Sequence, residues 1–527
     1  MKRFNKKQVI ITSLISIILL SYIYYNFIPK AEPLIGTYID GTYSETLPSK
    51  GKGYAVDKIV CDNNKNASWD YDKWGIKLSN WGTRSRCNIY FKSLDTVTIA
   101  NKTFYLDEML RCPSMNSDGT VTVTGAEDTY GYLCKAKDAY GDSYYYRGNV
   151  TNNYVLFADK YWRIIRYNGD GSVRVTYDGT AAYANGKYSP DRLASRSENY
   201  NEYWKKDNVK ISKMDTLDDD NAGVGYMYGN MDGLVERNYV IKSDNLYSSY
   251  EYYISKEYTY NASNDKFSLK DPITVKGSDI GNYIGYYTYG MSTGFDISYN
   301  YNRESYIFKI KSVDTDSGIH IEYSYTTYGS NSLKSAQTNT NNSEIKDDVD
   351  SWYEKNIKGT SNEKYVVDKI FCNDRSISSY KGTDHTNNGY AVEPTIYRWG
   401  GTSRKKDNVI LTCPQKNDAF TVSDTTKGNG DLTYPIGLIT GDEAMLAGGF
   451  PHVSNENYYL YTGENYFTMT PSDFMDRNFK ATVGYIYSDG ELTSSYTYGY
   501  GGMKPVLNLS SEVLNNGDGT ASNPFHP

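Results

Sequence analysis

The chain has 527 residues, of which 39 % are apolar, and a net charge of −7. This length is too great for one hydrophobic core, so we expect two to four domains. The negative charge offers no electrostatic attraction to nucleic acid, and we expect no nucleic-acid partner. Tyrosine dominates the aromatic residues, with 57 Tyr against 15 Phe. Because its apolar ring carries a polar hydroxyl, tyrosine suits half-exposed sheets and contact loops. We therefore predict a β-rich α+β protein that works by surface contact.

A candidate membrane anchor opens the chain. Four Lys or Arg side chains stand among residues 2–7, and the run Val9–Ile28 carries no charge. That run is long enough to cross a hydrocarbon core, and the preceding positive charges place the N-terminus in the cytoplasm. A cleaved signal peptide is the alternative, but residues 26–30 lack the small residues of a cleavage site. We predict residues 1–30 to be a cytoplasmic tip and single-pass anchor in the cell membrane, with an ectodomain outside the cytoplasm.

Six cysteines are spaced as three candidate pairs. The pairs are Cys61 with Cys87, Cys112 with Cys134, and Cys372 with Cys413. None lies in a Cys-x-x-Cys motif or close to a histidine, so zinc is not indicated, and we predict no metal and no cofactor. An extracytoplasmic location favours disulfides, each contributing about 3–4 kcal/mol on the chain-entropy model. Buried free thiols are the alternative.

We divide the rest of the chain into four segments. They are a small β module with two cysteine pairs (31–135), a β-rich first part of the main domain (136–236), a Tyr-rich β insertion (237–335) and a C-terminal α+β subdomain (336–527).

In the small β module, a strand at Tyr54–Cys61 enters one cysteine and a strand at Arg86–Phe91 leaves another. Three tryptophans between them, Trp69, Trp74 and Trp81, supply apolar area for a small sandwich. The sequence of the first strand recurs at Tyr365–Cys372. This echo indicates a similar strand-to-cysteine corner or is due to chance.

Alternating apolar residues predict three consecutive strands at Tyr154–Ala158, Tyr161–Tyr167 and Ser172–Tyr177. In the insertion, Glu304–Lys311 and Gly318–Tyr325 alternate in the same way and predict a hairpin.

Two helices are predicted in the C-terminal subdomain. Ser343 caps the first, whose apolar face carries Ile345, Val349, Trp352 and Ile357, and Gly359 follows its end. The second begins with a capping box, in which the side chains of Thr440 and Glu443 each bond the other residue's backbone N–H, and ends at Gly448-Gly449. Strands at Ala481–Tyr487 and Gly501–Leu509 close the chain.

The candidates for chemistry have simpler structural interpretations. With four histidines in the chain, no catalytic triad can be proposed. Asp442 and Glu443 fit the first turn of a helix better than an acid/base pair. Asp218–Gly223 fits a solvated acidic turn better than a calcium loop, because Gly229 stands at the twelfth position instead of Glu. Asp170 and Asp518 fit hairpin turns.

Aromatic loops between Tyr458 and Tyr500 are the best candidate for a binding site. Rigid aromatic rings among Asn, Ser, Thr and Gly lose little side-chain entropy on binding, and tyrosine can also stack on sugars. An ordinary Tyr-rich sheet face is the alternative. The predicted ligand-binding residues are Tyr461, Asn465, Tyr466, Tyr485, Tyr487, Tyr496 and Tyr498.

Residues 143–527 resemble a large family of exported surface proteins of gut Firmicutes that has no settled activity. The matching segments, in order, are Tyr144–Gly148, Tyr161–Gly171, Gly225–Gly229, Val349–Tyr353, Phe371–Ser376, Tyr434–Thr440, Tyr466–Pro471, Lys504–Leu509 and Gly517–Gly519.

The plan of residues 434–509 is also similar to the C-type-lectin-like fold of formylglycine-generating enzymes. In that fold a Leu-Pro-Thr-x-x-Glu helix ending in Gly-Gly precedes aromatic loops and a closing strand. The counterparts here are Leu438–Glu443, Gly448-Gly449 and Gly502–Val506. No cysteine follows Cys413, so the thiol pair of those oxidases is missing. The resemblance therefore implies a C-type-lectin-like subdomain that serves as a binding scaffold.

The sequence thus predicts a membrane-anchored bacterial surface protein that binds a glycan or a protein ligand without transforming it. An enzyme on the same fold is the first alternative and would require a cleft holding a group with a strongly shifted pKa. A structural component of the cell envelope is the second.

Overall fold

The computed structural model describes residues 34–62, 67–71, 73–78, 86–107, 111–199, 225–229, 337–376, 408–475, 480–497 and 499–527, together with the backbone of strands between 233 and 329. The chain divides into two compact units. The first unit comprises residues 1–98 and 103–112, and the second comprises residues 99–102 and 113–527. The predicted end of the small β module, residue 135, lies in the second unit, inside the strand Gly131–Asp138.

The first unit is a small β structure. Its strands are β1 (Leu34–Ile39), β2 (Thr42–Ser44), β3 (Tyr54–Cys61), β4 (Ala67–Asp70), β5 (Gly75–Leu78), β6 (Arg86–Ser93), β7 (Asp95–Ile99) and β8 (Lys102–Leu106). Four of them form a sheet in the order β2-β1-β6-β3, while β4-β5 and β7-β8 are separate pairs.

The core of the first unit confirms the predicted staple across tryptophan. Cys61 and Cys87 face each other in β3 and β6 and form a disulfide. Trp69 packs edge-on against Trp74 at 5.4 Å and against Phe91 at 5.2 Å, measured between ring centroids. The predicted contribution of Trp81 lies outside the described residues.

The second unit contains the remaining strands. Before the insertion these are β9 (Ser114–Met115), β10 (Val121–Thr122), β11 (Gly131–Asp138), β12 (Gly141–Gly148), β13 (Tyr154–Phe157), β14 (Lys160–Tyr167), β15 (Val173–Tyr177), β16 (Ser195–Asn199) and β17 (Met227–Tyr228). Within the insertion they are β18 (Gly233–Val240), β19 (Glu251–Ile254), β20 (Glu257–Asn261), β21 (Lys266–Lys270), β22 (Ile273–Lys276), β23 (Phe308–Ser312) and β24 (Glu322–Gly329). After it come β25 (Asn341–Asn342), β26 (Phe371–Cys372), β27 (Asn408–Val409), β28 (Ala419–Phe420), β29 (Ile436–Leu438), β30 (Tyr466–Met475), β31 (Lys480–Ile486), β32 (Leu492–Tyr496), β33 (Tyr500–Met503) and β34 (Pro505–Leu509).

A central sheet forms the core of the second unit. Its order is β11-β12-β14-β15-β34-β29, and β13 pairs with β14. The strands predicted around residues 154–177 are confirmed, and β14 and β15 are buried on both faces. A second sheet has the order β16-β33-β30-β31-β32. Because β33 leads directly into β34, the chain passes from one sheet to the other at Lys504.

The described part of the insertion is built from antiparallel pairs. β23 pairs with β24, which confirms the predicted hairpin, and β24 also pairs with β18. Two further pairs, β19 with β22 and β20 with β21, are nested along the chain.

Both predicted helices are confirmed. α1 (Glu344–Asn356) is capped by the Ser343 hydroxyl, and its Trp352 packs edge-on against Trp162 of the central sheet at 5.8 Å. α2 (Gly441–Ala447) has both bonds of the capping box, and Gly448 ends it with φ of +125°. Arg147 donates to the carbonyls of Met445 and Leu446, so the last turn of α2 is satisfied by a buried cation.

The similar sequences of Tyr54–Cys61 and Tyr365–Cys372 do not share a structure. Tyr54–Cys61 is one continuous strand, whereas in Tyr365–Cys372 only the last two residues are in a strand and Tyr365 ends a 3₁₀ turn. The predicted turns are confirmed, since each carboxylate accepts bonds from the backbone and hydroxyl of the residue two positions on: Asp170 from Ser172, and Asp518 from Thr520.

The cysteine predictions hold. Cys372 and Cys413 form a disulfide, Cys112 and Cys134 are also disulfide-bonded, and the chain has three disulfides in all. The predicted anchor at Val9–Ile28 lies outside the described residues. Among the residues that are described, no helix is long and apolar enough to span a membrane.

Candidate binding surface

The aromatic loops are carried by the sheet that contains β30, β31 and β33. Gly501 in β33 makes this arrangement possible, because a Cβ atom there would lie 2.7 Å from the ring of Tyr485 and 2.8 Å from that of Phe467. Only glycine allows β33 to pass so close to these rings. The backbone of Tyr500 then lies over Tyr485, whose hydroxyl donates to the Tyr500 carbonyl at 2.7 Å.

Three of the predicted ligand-binding residues are buried. Tyr461, Tyr466 and Tyr485 are 8 %, 0 % and 2 % exposed. Tyr466 donates to the Leu460 carbonyl at 3.0 Å, so its hydroxyl is satisfied inside the protein. These rings form part of the core of the sheet, and a ligand cannot reach them in this structure. The physical reason is that Tyr, with its apolar ring, fills a core well when its hydroxyl finds a carbonyl.

The other predicted residues lie nearer the surface. Tyr487 is 41 % exposed, and Tyr485 supports it edge-on at 5.5 Å. Asn465 is exposed, and its side-chain oxygen accepts from the backbone of Ser488 at 2.7 Å. Tyr496 is half-buried, and Tyr498 lies outside the described residues.

Sequence reasoning did not select Tyr500, whose carbonyl accepts from Tyr485, or three residues at and around Glu464, which is the neighbour of Asn465. Tyr500 and Tyr188 are 68 % and 52 % exposed. The Tyr188 hydroxyl donates to Glu464 at 2.9 Å, and Arg196 pairs with Glu464 at 3.4 Å. We call the set Tyr188, Arg196, Glu464, Asn465, Tyr487 and Tyr500 the tyrosine surface. Tyr500 stands in the Tyr-rich stretch and was within reach of sequence reasoning, whereas Tyr188 and Glu464 are 276 positions apart.

A buried ionic cluster holds the loops behind this surface. Asp178 accepts from Arg192 at 2.9 Å and from Lys504 at 3.1 Å, and Arg163 lies 3.8 Å away. All four side chains are fully buried. Arg192 also donates to the carbonyls of Lys187 and Tyr459. The cluster therefore ties the end of β15 to the loop before Tyr188, to the aromatic loop and to the junction of β33 with β34.

A separate charged cleft lies beside α2. Its cavity volume is about 20 Å³, room for about one water. Glu443 accepts from Arg166 at 3.2 Å and from Arg174 at 3.2 Å, and Arg166 also pairs with Asp138 at 2.5 Å. Burial raises the pKa of the Glu443 carboxyl, but Arg174 and Arg166 outweigh burial and the net pKa is lowered. Glu443 is therefore an ionised acceptor that cannot supply a proton near neutral pH.

We expect Glu443→Gln to lower the free energy of unfolding by about 2–3 kcal/mol, because the buried Arg174 loses its charged partner. The amide keeps an oxygen for the Thr440 backbone, so the capping box survives. Urea unfolding followed by circular dichroism measures the change. Glu512→Gln, at an exposed position, is the matched control and is expected to shift stability by less than about 0.5 kcal/mol. Equal effects at the two positions would contradict an ionic role for Glu443.

Among the described residues, no three His, Cys, Asp or Glu side chains converge as ligands of a metal ion would. Comparison of the chain with protein-family models, with curated proteins and with solved structures found no match.

Proposed function

We propose that the chain is an extracytoplasmic surface protein that binds a glycan, without transforming it, through the tyrosine surface. The observation that carries the proposal is the contrast between two groups of tyrosines. Tyr458, Tyr459 and Tyr466 are fully buried, whereas Tyr487 and Tyr500 present exposed rings, and the exposed Asn465 amide bonds the backbone of Ser488, next to Tyr487. Exposed rigid rings next to hydrogen-bonding groups are the chemistry that stacks on a sugar ring and orients its hydroxyls.

The proposed location rests on two features. Three disulfides favour an oxidising compartment, and the uncharged run Val9–Ile28 behind a cluster of positive charges suits a single-pass anchor. On this proposal the anchor stays in the cell membrane and the rest of the chain faces outward.

We further propose that residues 434–509 form a C-type-lectin-like subdomain. The capping box at Thr440, the positive φ of Gly448 and the closing strand β34 support it. A protein ligand is the second candidate, since exposed tyrosines with small polar neighbours also suit protein contacts.

A glycan array probed with the detergent-solubilised full chain tests the proposal. We expect Tyr487→Ala and Tyr500→Ala each to weaken binding to the bound glycans about tenfold, which is the loss of about 1.4 kcal/mol of stacking energy. Tyr43→Ala removes an equally exposed ring from the first unit, 62 % exposed, and serves as the control with unchanged binding. If no glycan is bound but a protein is captured in a manner sensitive to Tyr487, the second candidate replaces the first. Binding that is indifferent to Tyr487 and Tyr500 would contradict both.

A further inference from the structure

The charges around the tyrosine surface are mostly negative. Glu464 lies within it, Asp489 and Glu491 follow Tyr487 by two and four positions, and Glu456 follows Asn455, whose backbone donates to the Asp489 carbonyl at 2.9 Å. We call Glu456, Asp489 and Glu491 its border. Asp489 and Glu491 belong to the same turn as Tyr487, since the Tyr487 backbone donates to the Glu491 carbonyl at 2.9 Å and accepts from Gly490 at 2.8 Å. Two carboxylates therefore belong to the same tight turn as an exposed ring.

Among the described residues, the positive charges nearby are fewer, and two of them pair with carboxylates. Arg196 pairs with Glu464 at 3.4 Å, and the exposed His452 pairs with Glu491 at 3.1 Å. Lys187 precedes Tyr188 and is exposed. Counting Lys, Arg, Asp and Glu among the described residues only, four carboxylates stand against two cations, so the described part of the border carries a net negative charge.

The turn beside Tyr487 is held firmly. Asp489 accepts from the Ser454 hydroxyl at 2.6 Å and from the Glu491 backbone at 3.0 Å. These bonds, the Ser454 hydroxyl first, lower the pKa of the Asp489 carboxyl and keep it ionised. Its charge is therefore fixed in position within the turn that begins at Tyr487.

We infer that the tyrosine surface takes glycans that are uncharged or carry amino groups, and discriminates against glycans that carry carboxylate or sulfate groups. This inference rests on the proposed function and narrows its ligand class. Carboxylates also accept hydrogen bonds from sugar hydroxyls and ammonium groups, so the same border that repels an anion can orient a neutral or amino sugar.

Matched pairs of array glycans test the inference with the full chain. The probes are oligosaccharides with and without terminal sialic acid, with and without sulfate, and with an amino or an N-acetylamino group. We expect the uncharged member to bind about tenfold more tightly than the acidic member at 20 mM NaCl, and the gap to narrow to about twofold at 500 mM because salt screens exposed charges. The amino-bearing member is expected to bind at least as well as its N-acetyl counterpart.

A double variant supplies the second readout. Glu464→Gln with Glu491→Gln keeps the hydrogen-bonding oxygens and removes two charges, so the discrimination against acidic glycans is expected to fall about threefold. Glu512→Gln is the control and leaves the discrimination unchanged. Equal or tighter binding of the acidic member in the parent chain would overturn the inference while leaving the proposed function intact. Binding to no glycan on the array, or capture of a protein alone, would overturn the proposed function and this inference with it.

Discussion

Raising the pH from 7 to about 9 is expected to stabilise the folded second unit, and raising it further towards 12 is expected to unfold it. Lys504 causes the rise. Burial lowers the pKa of its ammonium group to about 8, although Asp178 opposes the shift. Between that value and the unfolded pKa of about 10.4, the unfolded chain holds a proton that the folded chain has released. Stability therefore increases with pH, by about 1 kcal/mol between pH 7 and 9, before the tyrosines titrate in the unfolded chain.

Buried tyrosines cause the loss of stability at high pH. Burial raises the pKa of Tyr146 to about 12 and that of Tyr485 to about 12. It also raises the pKa of Tyr458, Tyr459 and Tyr466. A group whose pKa is raised by folding stabilises the fold fully below its unfolded value of about 10 and loses that contribution as the pH passes the folded value. Each tyrosine raised to about 12 forfeits about 2.7 kcal/mol, so the loss exceeds the gain from Lys504.

Urea unfolding at intervals between pH 7 and 12, followed by circular dichroism and by phenolate absorbance, measures both the rise and the fall of stability with pH. Lys504→Met separates them, because it is expected to abolish the rise and to leave the alkaline fall in place. A parent profile between pH 7 and 9 that rises no more than that of Lys504→Met, or phenolate formation near pH 10 without loss of structure, would contradict the account.

Asp178→Asn is expected to lower the free energy of unfolding of the second unit by about 3–5 kcal/mol. The substitution keeps the shape of the side chain but removes a carboxylate that lies within 4 Å of Arg163, Arg192 and Lys504. Three fully buried cations then face one another without their shared counter-charge. Because Arg192 also holds the loops of Lys187 and Tyr459, we expect weaker ordering of the tyrosine surface.

Chemical unfolding of the parent and variant measures the effect. Adding Lys504→Met to Asp178→Asn removes one of the unpaired charges and is expected to restore part of the lost stability. Asp142→Asn is the matched control, since Asp142 is exposed and pairs with Lys135 at 2.9 Å; its effect is expected to stay below about 1 kcal/mol. A loss at Asp178 no greater than the control's would show that the cluster does not stabilise the fold.

Local patterns predicted the local structure. The alternation at Tyr161–Tyr167, the Ser343 cap and the capping box at Thr440 each specify an element through residues close in sequence, and each was found. The cysteine spacing was informative for a similar reason, because Cys61 ends one strong strand pattern and Cys87 stands at the start of another.

Strand pairing between distant segments determines which aromatic side chains are buried, and local sequence patterns do not predict that pairing. Which face of the aromatic loops is buried depends on β33 lying between β16 and β30, and no pattern within the loops specifies that order. Tyr485 and Tyr487 are alternate residues of one segment, yet one is 2 % and the other 41 % exposed, since the turn begins between them. Asp178, Arg192 and Lys504 meet only because distant segments pack together.

Hydrogen exchange of the full chain tests most directly whether the tyrosine surface is the binding site. It is measured in solution with and without a glycan that the chain binds on the array. Mass spectrometry should show slowed exchange in residues 463–466, 486–491 and 499–502, and the recovered glycan should have an unchanged mass. Protection confined to the charged cleft around Asp138 and Glu443, or a glycan recovered in cleaved or modified form, would contradict the proposal that this surface binds its ligand without transforming it.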